Sequence, residues 1–130
     1  MKKSILPRTI GVDFDSTICY HEYPYLGEVI PGAIETMKKL LDAGHTLILI
    51  TQREPHLMDE ASELIRNHGV EIKYVNCNPE FENGSRKIYA NLYIDDHGLG
   101  IPLINDPQIH RKPFVDWIKV EKILEEKGYL

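Results

Sequence analysis

Residues Thr46 to Ile50 read Thr-Leu-Ile-Leu-Ile. The apolar side chains run on without the polar alternation of a half-wetted strand, so both faces must be covered. That is the environment of a strand inside a parallel sheet. A parallel sheet needs helical crossovers, and the flanking sequence supplies them. Before the run, Pro31-Gly32 opens a helix, with proline suited to a first turn. Ala33, Ile34, Met37, Leu40 and Leu41 recur at helical spacing, and Gly44 stops the helix. After the run, Pro55 to His68 carries Leu57, Ala61, Leu64 and Ile65 on one face, with Gly69 as its cap.

The same alternation extends along the chain. Thr9 to Phe14 reads as a buried first strand and Val70 to Val75 as a third. A loop over Asn76 to Asn83, a short helix near Ser85 to Ala90 and a fourth strand, Leu92 to Ile94, come next. A glycine-rich bend leads to an expected fifth strand, Gly100 to Ile104, which Pro102 confines to an edge. After a loop over Asn105 to Pro113, a last helix carries Phe114, Trp117, Ile118, Glu121 and Leu124 and ends at Gly128. Strands alternating with helices predict an α/β domain, an open parallel sheet with helices on both faces. Ligands in such sheets gather outside the carboxyl ends of the strands.

A chain of 130 residues, 42% hydrophobic and 27% charged, suits one domain spanning 1–130. No apolar run approaches the roughly 20 residues of a membrane helix, and the start Met1-Lys2-Lys3-Ser4 lacks the apolar segment of a secretory leader. Cys19 and Cys77 form no disulfide framework and no zinc spacing. A cytoplasmic location is therefore expected. With a formal charge of −5 and basic clusters no longer than Lys2-Lys3, Arg86-Lys87 and His110-Arg111-Lys112, the chain lacks the basic face of a nucleic-acid binder.

Polar clusters mark three strand ends. Asp13-Phe14-Asp15-Ser16-Thr17 places two acids on one side of an extended chain. Such acids repel unless a cation or a proton lies between them, and a hard cation such as Mg2+ suits them. An Asp-rich turn that caps backbone amides would read the same way. Thr51-Gln52-Arg53 offers a hydroxyl and free amides for a phosphate, or simply a threonine helix cap beside a solvated arginine. Lys87, next to Arg86, suits a phosphate oxygen and equally an ordinary surface position. Asp95-Asp96 ends an apolar strand, where paired acids are costly unless they bind something or close a turn. Four such clusters in this order are less easily explained apart than together.

The order acid pair, hydroxyl, lysine, acid pair resembles the four motifs of the haloacid dehalogenase-like superfamily: hhhhDxDxT, hhhT/S, K and hhhhDD. The match is residue for residue at Asp13, Asp15, Thr17, Thr51, Lys87, Asp95 and Asp96, with Ser16 where the family usually has glycine. The resemblance implies a three-layer α/β/α Rossmannoid domain whose sheet of about five strands has the order 5-4-1-2-3. It implies a Mg2+-dependent phosphatase in which Asp13 is the nucleophile and a metal ligand. Asp15 would be the general acid and base and would touch the metal through its carbonyl. Thr51, Gln52 and Lys87 would hold the phosphoryl oxygens, Arg86 being the alternative to Lys87, and Asp95 and Asp96 would complete the metal site. A receiver domain uses similar parts but places its accepting Asp on the third strand, which here ends in Asn76. Asp15 also argues against the dehalogenase branch, where halide leaves without a proton.

Neither interval that holds a cap in such proteins is long enough for one here. The site is therefore expected to be open, with residues 16–30, rich in tyrosine, as a flap or hairpin over it. An open, acidic enzyme points to a phosphorylated small molecule as substrate, with a macromolecular phosphoester as the alternative, no membrane, and room for a homo-oligomer. The competing functions are a regulatory module of this fold with little turnover, and a phosphotransferase.

Overall fold

In a computed structural model, residues 5–79 and 86–130 of the chain are described. Lys2-Lys3, Ser85 and the end of the Asn76–Asn83 loop lie outside them. The strands are β1 (Thr9–Asp13), β2 (Thr46–Ile50), β3 (Tyr74–Val75), β4 (Leu92–Ile94), β5 (Leu103–Ile104) and β6 (Phe114–Val115). The helices are α1 (Ala33–Asp42), α2 (Pro55–Asn67) and α3 (Trp117–Glu126). The fold is mixed α/β and Rossmann-like: a four-stranded sheet ordered β3-β2-β1-β4, all parallel, with three helices.

The expected five-strand order 5-4-1-2-3 is corrected here, because β5 leaves the sheet and pairs antiparallel with β6. The reason is length. Only Asp95 to Pro102 separate β4 from β5, short of the dozen or so residues that a parallel crossover requires. Phe114 belongs to β6 rather than to the last helix, which starts after Asp116, whose carboxylate accepts from the Lys119 N–H at 3.2 Å. The third strand shrinks from Val70–Val75 to two residues. Arg66 on α2 takes the Ile72 carbonyl with Nε and Nη2 at 3.1 and 2.8 Å, which removes it from a ladder. No helix forms over residues 86–90.

Layering also differs from the expectation. Ile10, Val12, Phe14, Leu47, Leu49 and Ile94 share one apolar cluster with Met37 and Leu40 of α1, Ile65 of α2, and Trp117 and Val120 of α3. All three helices thus cover one face, as right-handed β1-α1-β2 and β2-α2-β3 crossovers require. The other face carries Gly11, Asp13, Ile48, Ile50 and Tyr93 by strand alternation and register. No helix covers it among the described residues.

His45 ties the two ends of the described chain together. Its Nδ1 accepts from the Arg8 N–H at 3.0 Å, so the proton sits on Nε2, which donates to the Tyr129 carbonyl at 2.8 Å. The Arg8 guanidinium lies 3.6 Å from the Tyr129 ring centre. His45→Ala strands both backbone groups, and a loss of about 2 kcal/mol is expected in urea unfolding. A loss under 0.5 kcal/mol would show that the clasp adds nothing. No helix among the described residues is long and apolar enough to cross a membrane.

Candidate active site

The carboxyl ends of β1, β2 and β4 meet at one edge of the sheet, and the turn after β1 is held tightly there. The Phe14 carbonyl accepts from the N–H groups of Thr17, Ile18 and Cys19 at 3.3, 2.9 and 3.1 Å. Ser16 turns the chain in the left-handed region at φ 60, a conformation that glycine adopts at less cost. The C-terminal elements fasten this turn from outside: the Val115 N–H donates to the Ser16 carbonyl at 3.0 Å and Trp117 Nε1 to the Thr17 carbonyl at 2.7 Å. So anchored, Thr17 Oγ1 donates to Asp13 Oδ2 at 3.2 Å.

Asp13 faces Asp96. Burial raises the Asp13 carboxyl from 3.8 to about 7, with the Asp96 side chain pushing the same way and the Phe14 N–H and Thr17 opposing. Asp95 is engaged elsewhere: its Oδ1 accepts from the Gly98 N–H at 2.6 Å and closes the turn after β4. The expected ligand set Asp13, Asp15, Asp95 and Asp96 lines one cavity, with one Asp95 oxygen taken by this hydrogen bond. Two carboxylates face each other, and no group of three or more His, Cys, Asp or Glu is arranged for a metal ion among the described residues. A half-buried acid pair that repels when ionised still fits a divalent cation of the Mg2+ type. Such ions use one or two carboxylates and fill their other positions with water and phosphate.

This pair gives a pH-dependent stability. With its value raised in the fold, Asp13 contributes stability that is complete below 3.8 and is lost as pH rises through about 7. In EDTA at pH 8, Asp13→Asn is expected to raise the melting temperature by about 5 °C or more. The gain should shrink to nothing near pH 4, and Mg2+ at pH 8 should stabilise the wild type more than the variant. Equal gains at both pH values would remove the buried charge as the cause.

Asp15 has a partner of its own. It is gripped by Arg53, whose Nε donates to Oδ2 at 3.0 Å and Nη2 to Oδ1 at 2.7 Å. Arg53 is 4% exposed. Its Nη1 also donates to the Pro24 carbonyl at 3.1 Å and Nη2 to the Tyr25 carbonyl at 2.9 Å, while its guanidinium lies 4.9 Å from the Phe14 ring centre and 5.2 Å from that of Tyr23. Arg53 thus joins the second acid of the motif to the tip of the flap. The sequence marked its position but offered it only as a solvated neighbour of Thr51.

The phosphate cradle expected at Thr51 is narrower than anticipated. Asn76 clamps the Thr51 peptide, accepting from its N–H at 2.8 Å and donating to its carbonyl at 2.7 Å. The Arg53 N–H donates to Thr51 Oγ1 at 3.2 Å. The Thr51 hydroxyl and the Gln52 N–H remain to meet a ligand. Thr51, Gln52 and Lys87 line the same cavity of about 950 Å³ as Asp13, Asp15, Asp95 and Asp96, and Arg86 is not among its lining residues.

Residues 16–30 form a necked loop rather than a regular hairpin. Tyr20 N–H donates to the Glu28 carbonyl at 2.9 Å and Ile30 N–H to that of Ile18 at 2.8 Å. At the neck a Cβ on Gly27 would lie 2.0 Å from the Tyr20 carbonyl oxygen, so only glycine fits. Opposite Arg53, Glu22 meets His110 at 2.9 Å and Arg111 at 2.7 Å, and Arg111 also donates to the His21 carbonyl at 2.9 Å. The flap is therefore a wall fixed on two sides.

No family model matches the chain, and no curated protein matches it. A solved structure, described as that of a conserved protein from Bacteroides thetaiotaomicron, is 40% identical, with 94% of this chain and 93% of that one covered and a TM-score of 0.79. The chain belongs to that protein's family. This likeness carries the fold across nearly the whole chain.

Proposed function

We propose that this chain is a Mg2+-dependent phosphatase of the haloacid dehalogenase-like superfamily, with Asp13 as nucleophile. The observation that carries the reading is Asp13 itself, half-buried at a sheet edge between Thr17 and Asp96, in one cavity with Thr51 and Lys87. A carboxylate with hydroxyl and lysine donors beside it is equipped to attack phosphorus and to hold the oxygens of the transferred group. Ser16 holds a left-handed φ of 60, the conformation that the usual glycine of the motif adopts at less cost.

In the first step an Asp13 oxygen bonds to phosphorus, the bond to the leaving oxygen breaks, and that oxygen takes a proton from Asp15. In the second, water attacks the aspartyl-phosphate and gives its proton to Asp15, and the bond to Asp13 breaks to release inorganic phosphate. Both Asp15 oxygens accept from Arg53, a donor-only group. This presents Asp15 as a proton acceptor, the form the second step needs, and the pair must loosen for the first. Asp13 and Asp96 would hold the metal, which when bound neutralises charge on the phosphoryl oxygens. The substrate in this reading is a phosphorylated small molecule.

The Asp15–Arg53 pair is also what a regulatory module with little turnover would show, so the two readings separate by rate. The test is release of p-nitrophenol from p-nitrophenyl phosphate with Mg2+ and with excess EDTA. Metal-dependent release supports the phosphatase. No release at any pH between 5 and 9 sinks it in favour of the module. Transfer of the phosphoryl group to an added alcohol would make it a phosphotransferase.

A further inference from the structure

A single phosphoryl group needs only one corner of the cavity, whose volume of about 950 Å³ lies at the upper end of those that hold whole small molecules. The phosphoryl chemistry leaves unused the walls built by His21 and Tyr23 of the flap and by Leu103, Lys112 and Pro113 of the β5–β6 ribbon. We propose that His21, Tyr23 and Lys112 form a leaving-group subsite for a flat ring bearing an acidic substituent. The term leaving group rests on the phosphatase reading above, whereas the binding chemistry does not.

Three observations support this subsite. It is preformed: Arg53 holds the Pro24 and Tyr25 carbonyls, and Arg111 holds that of His21, so His21 and Tyr23 sit between two anchors. The same anchors bring the segment at 110–112 alongside the flap, since Glu22 binds both His110 and Arg111 and the Lys112 N–H donates to His110 Nδ1. The polar groups also lack partners. His21 Nδ1 is the one buried side-chain polar atom without a hydrogen bond among the described residues, and Lys112 makes no ion pair among them. An unpaired buried nitrogen is costly unless a ligand meets it.

The third observation is the surface itself. Tyr20 is engaged with His110 and Phe114, at centroid distances of 5.1 and 5.0 Å, and serves as packing. Tyr23 is 46% exposed yet lines the cavity, with Arg53 near its ring, so it offers an aromatic surface to a ligand. Leu103 and Pro113 extend the apolar wall. Aromatic and apolar walls suit a flat ring. An ammonium and an imidazole beside them suit a carboxylate or a second phosphate on that ring.

The experiment compares butyl, benzyl and 4-carboxybenzyl phosphate. Their alcohols are of similar acidity, so differences report recognition rather than bond cleavage. In the wild type, kcat/KM should rise about fivefold from butyl to benzyl and again about fivefold from benzyl to 4-carboxybenzyl. Tyr23→Ala should bring the first ratio near one, and Lys112→Ala and His21→Phe the second. In parallel, binding of the product 4-(hydroxymethyl)benzoate is followed by NMR and should be weakened in Lys112→Ala, an exposed position whose replacement leaves folding intact. Turnover with flat ratios and no benzoate binding overturns the subsite and leaves the phosphatase standing. Ratios that persist unchanged in the variants overturn its assignment to these residues. No turnover of any ester, with benzoate bound and lost in Lys112→Ala, overturns the phosphatase and keeps the binding site.

Discussion

Asp13→Asn is expected to lower Mg2+-dependent hydrolysis of p-nitrophenyl phosphate by at least about 10⁴-fold, the scale on which removal of a covalent nucleophile acts. No neighbour can take over the role. Asp15 is bound on both oxygens by Arg53, Asp95 closes a turn with Gly98, and Asp96 lacks the Thr17 hydroxyl that orients Asp13. The change is nearly isosteric, and its amide oxygen can still accept from Thr17. It also removes a carboxyl that burial and Asp96 together push up to about 7. The variant should therefore be inactive and at least as stable as the wild type, so that loss of rate and loss of fold are told apart by one melt. A rate within tenfold of the wild type would show that another group attacks phosphorus.

The elements most legible in the sequence were those whose environment left one choice. Thr46–Ile50 is the strand its unbroken apolar run required, with Leu47, Ile48 and Leu49 all buried although the helices pack on one face alone, and punctuation by Gly44 and Pro55 sets its neighbours. What could not be read was which backbone groups other side chains would claim. Val70 and Ile72 are buried as their alternation suggests, yet Arg66 takes the Ile72 carbonyl and the ladder survives over two residues. The fate of β5 was legible in principle, since the distance from β4 is too short for a crossover. Asp116 before Trp117 was a readable helix cap as well.

In the site, the motif acids and Thr51 fall at the strand ends where the pattern put them, because strand direction alone decides that. Their partners were not legible. Asn76 figured in the sequence only as the residue standing where a receiver domain has aspartate, whereas in the fold it holds the Thr51 peptide from across the sheet. Nothing local distinguishes such a side chain from a turn asparagine, for its role depends on the pairing of β2 with β3. Asp95 and Asp96 are adjacent and chemically identical, so only the turn at Gly98 decides which of them meets Asp13.

Arg53→Ala is expected to cost about 3 kcal/mol, the scale for removing one partner of a buried ion pair. The Arg53 side chain is 1% exposed and Asp15 18%, so the remaining carboxylate is poorly hydrated once the guanidinium is gone. The Pro24 and Tyr25 carbonyls lose their donors at the same time. The flap should therefore loosen before the core does. Amide exchange should quicken at Tyr25, whose N–H donates to Glu22, and at Tyr20, whose N–H donates to Glu28, while the strand amides of β1 change less. Arg53→Lys restores the charge without the planar fork. A lysine cannot bond both Asp15 oxygens and both carbonyls from fixed directions, so it should recover less than half of the loss. Combining Arg53→Ala with Asp15→Asn isolates the pair, because removing the stranded charge should restore part of the stability lost to Arg53→Ala alone. If the two changes add independently, or if Arg53→Ala costs under 1 kcal/mol, Arg53 is a surface-like residue that happens to lie indoors. If they couple and exchange rises first in the flap, the link from acid to flap is physical.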